Sequence, residues 1–224
     1  MKTWTAENPK ASLMKRKRAA IVDAARCAFL ENGYASTSMD RIAAAAGVSI
    51  KTVYRHFDNK DDLFSAVMQA ACRQDGALEE WDDEPGERAP SLDRPWFSKP
   101  PGTALVMAGV EYLQHVLSAE QLALYRVVTQ DAHRFPELGR RYREEVIEHR
   151  NAVFARYLDR WAASQRWKIR HPGRAANAFA AMLRAGLFED ALHGLRTFNE
   201  SAILAQAAWA AKNMLVLLKT GSLD

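Results

Sequence analysis

The chain has 224 residues and a formal net charge of +4, enough length for one large or two small cores. Cys27 and Cys72, far apart and without a C-x-x-C spacing, exclude a disulfide framework and a zinc ribbon. No apolar run reaches the ~18 residues that span a bilayer and no apolar leader opens the chain, so a soluble, cytoplasmic protein with no membrane partner is expected.

The charge is unevenly spread. Residues 1–60 carry eleven Lys or Arg against five Asp or Glu, residues 61–100 carry four against ten, and the remainder sixteen against twelve. A basic excess confined to the first 60 residues points to phosphate neutralisation there.

Residues 1–12 are polar, include Pro9 and show no periodicity; a loose arm is expected, with Lys2 and Lys10 able to lie along a phosphate backbone. Lys15-Arg16-Lys17-Arg18 opens a first helix whose apolar positions Ile21, Ala24, Ala25, Ala28 and Phe29 recur at helical spacing until Gly33. Four cations at a helix start oppose the macrodipole, so they are either a solvated basic end or a phosphate contact. Cys27, among Ala24, Ala28 and Phe29, reads as a small buried hydrophobe. Thr37 and Asp40 have capping-box spacing and mark the start of a second helix.

From Met39 to Phe57 nearly every position suits a helix-turn-helix. Ile42, Ala43, Ala46, Val48, Val53 and Phe57 are its apolar positions, and Ala43 is small where two helices must cross. Gly47 falls where the chain leaves the second helix and needs positive φ, and Ser49 caps a third helix. On that helix Ile50, Val53 and Phe57 face inward, while Lys51, Thr52 and Arg55 centre the outward face with Tyr54 and His56 on its flanks. Hydrogen-bond donors on a short protruding helix suit a DNA major groove. Asn59 can cap a fourth helix with Asp61 and Asp62 in its first turn; Leu63, Phe64, Val67, Ala70 and Ala71 give it an apolar stripe running to about Glu80.

The run from Ile21 to Phe64, with Asn32-Gly33-Tyr34, Thr37-Ser38-Met39, Ile42-Ala43, Gly47-Val48-Ser49, Val53-Tyr54-Arg55-His56-Phe57 and then Lys60, resembles the TetR-type transcriptional repressors. The resemblance covers about the first third of the chain. It implies an all-α homodimer: an N-terminal three-helix helix-turn-helix domain (residues 1–60) binds double-stranded DNA at a palindromic operator. A linking helix joins it to a C-terminal helical domain (residues 61–224) for ligand binding and dimerisation, where a small-molecule effector releases the DNA. Carried over by position, Tyr54, His56 and Lys60, with Thr37 and Ser38, are implied to contact the DNA backbone, and Lys51, Thr52 and Arg55 to face bases. Ser49 caps its helix, contacts phosphate, or does both.

Residues 82–102 contain five prolines and form a loop longer than the resemblance implies. Trp96 and Phe97 within it either anchor the loop on an apolar surface or close a pocket as a lid. Helices follow from Thr103, with breaks near Ser118, at Phe135-Pro136, at His171-Pro172-Gly173 and around Gly194. The first, from Ala104 to Leu117, is apolar around most of its circumference and should be central. The last two, roughly Gly173–Leu192 and Asn199–Lys219, carry more apolar surface than one exposed face allows. A dimer interface through Phe179, Met182, Leu183, Gly186, Phe188 and Trp209 is expected.

Trp96, Met107, Tyr112, Tyr125, Phe154 and Phe179 are candidates to line a ligand pocket, each also readable as ordinary core. His115 stands either in that pocket or on a solvent-facing strip with Glu111, Gln114 and Ser118. Two Glu-x-x-x-His pairs, Glu111 with His115 and Glu145 with His149, leave a helical metalloenzyme as an alternative, although their spacing is also that of a surface ion pair. No P-loop, G-x-G-x-x-G, H-E-x-x-H or G-x-S-x-G pattern occurs, so no enzyme activity and no cofactor are expected. A regulator controlled by a protein partner, without a small ligand, is the second alternative.

Overall fold

A computed structural model describes residues 9–72 and 94–222 of the chain. The expected arm around Lys2, the end of the fourth helix near Glu80 and residues 82–93 of the proline-rich loop lie outside them. Among the described residues every regular element is a helix, as the resemblance implies.

The N-terminal unit comprises described residues up to 72 together with residues 123–146. Helices α1 (Pro9–Asn32), α2 (Met39–Ala45), α3 (Ile50–His56) and α4 (Lys60–Cys72) are joined there by most of α6 (Ala119–Asp131) and by α7 (Pro136–Arg141). The packing does not divide at residue 60, where the sequence suggested a boundary. Leu63, Phe64, Val67 and Met68 of α4 are buried, and the Phe64 ring lies 5.0 Å from Phe29 and 5.3 Å from Tyr34. Each such side chain stabilises the unit by roughly 1.5–3 kcal/mol through burial, so α4 is core of this unit as well as its exit. Arg141 of α7 donates to Asp62 Oδ1 at 2.9 Å and Ser65 Oγ at 2.7 Å, fixing α7 along α4.

Helix α1 starts at Pro9, inside the stretch expected to be a loose arm; a proline at a helix start forgoes an N–H that has no intrahelical acceptor there. Ile21, Ala25 and Phe29 are its buried stripe. Cys27 corrects the sequence reading: it is exposed, because two residues past Ala25 is about 200° around the helix from the core stripe.

The C-terminal unit comprises residues 94–122 and 147–222 as described. It holds α5 (Pro101–Val116), α8 (His149–Gln165), α9 (Pro172–Arg184), α10 (Leu187–Leu192) and α11 (Glu200–Thr220). As its all-round apolar sequence suggests, α5 is central and packs on both α11 and α9. Gly109 permits the approach: a Cβ there would stand 2.9 Å from Leu183 Cδ2 and 3.1 Å from Ala207 Cβ. The helix expected to run from Gly173 to Leu192 is instead two, because Gly186 takes φ +78° and turns the chain between α9 and α10. A π-helical run, Tyr142–Glu148, connects α7 to α8 and has no counterpart in the sequence reading. By length and composition α11 is apolar enough to cross a membrane. Its Ile203, Ala207, Ala210, Ala211, Met214 and Leu218 are buried, and the helix packs on α5 and α9.

Candidate nucleic-acid interface

Local capping chemistry sets the two short helices of the N-terminal unit. Ser38, not Thr37, caps α2, its Oγ accepting the Arg41 N–H at 3.3 Å. Thr37 is buried, and its hydroxyl bridges the Ala28 carbonyl at 3.1 Å and the Gly33 carbonyl at 2.8 Å. The end of α2 closes as a Schellman turn: Val48 N–H reaches Ala43 O at 3.0 Å, Gly47 N–H reaches Ala44 O at 3.2 Å, and Gly47 has φ +65°. Ser49 Oγ then accepts the Thr52 N–H at 3.2 Å and lies 2.8 Å from Thr52 Oγ1, starting α3.

The inner side of α3 is held by apolar burial and by one cation. Val53 and Phe57 are buried, with Ile50 partly so. Arg18 donates to the His56 carbonyl at 3.3 Å and sits 4.3 Å over the Phe57 ring, supporting the C-terminal end of α3 where carbonyls carry partial negative charge. Arg18 is a residue the sequence reading left in its basic run. The signal was present: Arg18, Ile21, Val22 and Ala25 share one helix face at i, i+3, i+4 and i+7.

Lys60 also points inward. Its Nζ donates to the carbonyls of Tyr34 at 2.8 Å and Thr37 at 2.9 Å and lies 4.2 Å over the Tyr34 ring. Burial pulls its ammonium below the ordinary lysine range, against the carboxylates of Asp61 and Asp131. Tyr34 donates its hydroxyl to Asp61 Oδ1, and burial, then Asp61, hold the phenol protonated well above its usual range. The buried carboxylate of Asp131 accepts the Ala35 N–H at 3.0 Å. The 33–37 turn, which delivers Ser38 to the start of α2, is therefore gripped by Lys60 and Asp131. Thr37 and Lys60 are residues that position this surface, and their polar atoms are committed to the fold.

What remains outward is narrower than the sequence list. Lys51, Tyr54 and Arg55 are exposed, Tyr54 at 52%, and Ser38 and Ser49 are exposed at the two helix starts. Thr52 and His56 are half-buried, Thr52 tied to Ser49. Lys15 and Arg16 are exposed on α1. The result is a short helix with its apolar side locked and two cations, a phenol and hydroxyls facing out.

In the C-terminal unit the pocket candidates do not converge on one place. The Trp96 ring lies 5.6 Å from Tyr157 and 6.4 Å from Phe154, and Phe154 stacks on Phe179 at 4.8 Å, so Trp96, Phe154 and Phe179 fill a shared aromatic core. Phe97 meets Tyr157 at 5.9 Å, so the end of the proline-rich loop is anchored on α8. Met107 is partly exposed on α5, Tyr112 lies under Arg150, and Tyr125 belongs to the N-terminal unit, beside Tyr142. His115 is half-buried; burial, then Arg150 and Arg94, depress its imidazole to about 4.

The dimer candidates divide too. Phe179, Leu183 and Phe188 are buried within the unit, because α9 and α10 turn these positions onto their own core. Met182 is half-buried, its carbonyl accepting from Gln206 at 2.8 Å, and Gly186 forms the turn. Trp209 is exposed, together with Val216 and Leu204 on the same helix, of which Leu204 carried no expectation from the sequence. The carboxylates of the two Glu-x-x-x-His pairs are engaged elsewhere, Glu111 by Arg94 and Trp96, and Glu145 by Ser65 and Gln69. Among the described residues no three His, Cys, Asp or Glu side chains gather to hold a metal.

Comparison with known proteins agrees with this geometry. Residues 21–67 match the model of bacterial regulatory proteins of the tetR family, and residues 103–220 match that of the AefR-like transcriptional repressor C-terminal domain. The HTH-type transcriptional regulator AcrR of Shigella flexneri is 42% identical over 59 residues, 26% of this chain and 27% of that protein. The fatty acid metabolism regulator protein of Bacillus subtilis is 32% identical over 84 residues, 36% of this chain and 42% of that protein. The matched stretches thus span 27% and 42% of these curated relatives, less than half of either. Solved structures extend the likeness: the flavonoid-responsive regulator FrrA has TM-score 0.71 and 30% identity, covering 90% of this chain and 96% of that one. A TetR-family regulator of Mesorhizobium loti has TM-score 0.74 and 25% identity, with 91% and 97% covered.

Proposed function

The chain belongs to the TetR family of transcriptional regulators and is not an enzyme, and from that premise we propose that it is a cytoplasmic homodimeric repressor. It binds a palindromic operator through α3 and is released by a small apolar effector. The observation that supports this reading most directly is the outward face of α3. Lys51, Arg55 and Tyr54 project from a helix whose inward residues Val53 and Phe57 are fully engaged, so the donors are free to enter a major groove while the backbone stays fixed. Ser38, Ser49, Lys15 and Arg16 are exposed where phosphates flanking that groove would lie.

Two such helices read a palindrome only when a two-fold axis joins them. The exposed apolar residues Leu204, Trp209 and Val216 of α11 supply a surface for that pairing. An apolar effector is supported by the aromatic content of the C-terminal unit and by likeness to a flavonoid-responsive regulator. The effector acts by favouring a position of α4 that changes the separation of the two α3 helices. The test is capture of genomic fragments by the purified protein, followed by footprinting. An inverted repeat with half-sites about one helical turn apart is expected. Captured fragments without two-fold symmetry would refute the dimeric reading.

A further inference from the structure

Polar chemistry in the C-terminal unit gathers along one side of α5, where Glu111, Tyr112 and His115 lie within one turn. Glu111 is already satisfied: Arg94 pairs with it at 3.1 Å and the Trp96 indole donates to it at 2.9 Å. Arg150, on the first turn of α8, has no such partner. Its guanidinium carbon stands 4.9 Å over the Tyr112 ring, and among the described residues no carboxylate pairs with it and its buried Nε has no hydrogen-bond acceptor. One turn along α8 comes Phe154, in contact with Trp96. Arg150 on Tyr112, and Trp96 on Phe154 and Glu111, are thus two polar and aromatic contacts on adjoining positions of α5 and α8, and His115 feels the charge of both Arg150 and Arg94.

The Glu111 carboxylate is paired with Arg94 and so does not serve Arg150. The imidazoles of His115 and His149 are both held neutral at physiological pH, His115 by burial and by Arg150 and Arg94, His149 by burial and Arg94. A half-buried cation facing an aromatic ring, with a buried donor unmet, is costly unless an anion completes it. The planar fork of arginine fits a carboxylate through two parallel hydrogen bonds, which a point charge does not match.

We propose that Arg150 anchors the carboxylate of an aromatic or aliphatic acid, with Tyr112 and Trp96 beside its apolar body. This names the effector class and rests on the ligand-responsive reading given above. Arg94 is taken by Glu111 and keeps that carboxylate from competing for Arg150.

The probes are 2-naphthoate and dodecanoate, each against its uncharged methyl ester, titrated calorimetrically into the full-length wild type and Arg150→Met, with Arg150→Gln as a second variant should the first fail to fold. Wild type should bind at least one acid about tenfold or more tighter than its ester, and the variant should lose that preference while keeping its ester affinity. Without ligand, Arg150→Met should melt at or above the wild-type temperature, because an unmet cation is removed. Retained acid preference in both variants, or no acid preference in wild type for either pair, overturns the proposal. Anisotropy on a captured DNA fragment separates the two readings: Arg150-dependent acid binding that leaves DNA affinity unchanged supports the site and refutes the ligand-responsive function.

Discussion

Replacing Lys60 with Met removes an ammonium that the family pattern assigns to DNA and the structure assigns to the protein. Its Nζ makes two charge-assisted hydrogen bonds, at 2.8 and 2.9 Å, and a cation–π contact at 4.2 Å. Taken at the low end for a half-buried group, the bonds contribute about 1.5 kcal/mol each and the ring contact about 0.5 kcal/mol. Relief of desolvation and packing of the Met side chain offset part of this, leaving a net loss of about 2–3 kcal/mol. For a unit of this size that lowers the melting temperature on the order of 10 °C. Thermal and urea denaturation followed by circular dichroism measure the loss. Fluorescence anisotropy on operator DNA at several salt concentrations supplies the second readout. Because the charge is turned toward carbonyls, the slope of log affinity against log salt should be unchanged for Lys60→Met. For Lys51→Ala, an exposed cation, the slope should fall by about 0.9 per half-site if it meets a phosphate. Wild-type stability combined with a reduced salt slope for Lys60→Met would refute the inward assignment and return the residue to the DNA backbone.

Arg55→Ala should cost roughly 1–3 kcal/mol on the operator and relax preference at one base pair per half-site, with scrambled DNA less affected; equal losses on both duplexes would place Arg55 on phosphate. Gly109→Val should destabilise the C-terminal unit by at least about 2 kcal/mol in urea titrations, since a Cβ would stand 2.9 Å from Leu183 and 3.1 Å from Ala207; an unchanged midpoint would show that α9 and α11 can move apart without cost. Stability should also depend on pH through His115. Its folded-state value, about 4, lies below the ordinary 6.5, so the unfolded chain protonates first on acidification, and stability present above pH 6.5 is lost as pH falls toward 4. The slope reaches at most about 1.4 kcal/mol per pH unit, and His115→Gln should flatten it in denaturation series across that window. Trp209→Glu, on the exposed face of α11, should yield a folded monomer by sedimentation, whereas Phe188→Asp should unfold the C-terminal unit, because Phe188 is only 7% exposed. A dimeric Trp209→Glu protein would move the interface elsewhere.

The helix-turn-helix was legible because its determinants are local. Apolar spacing from Ile42 to Phe57, a glycine where the chain must take positive φ, and serines at two helix starts are each readable within a turn or two of the residue concerned. Angular spacing alone placed Lys51 and Arg55 outward and Val53 and Phe57 inward, and the structure keeps them there. The all-apolar circumference of the helix after the proline-rich loop likewise marked it as central.

Tertiary structure alone decided where polar side chains end. Lys60 reaches carbonyls 26 and 23 residues earlier, Thr37 turns back to α1, and Asp131 meets Ala35 across 96 residues, so no window of sequence contains both partners. The same holds for apolar surface. Phe179, Leu183 and Phe188 look like an interface when only their own helices are seen, and become core once the turn at Gly186 and the close crossing at Gly109 bring α9, α5 and α11 together. Periodicity reports which side of a helix is apolar; whether that side meets its own chain or another depends on distances between helices, which are set by the packing of the whole unit.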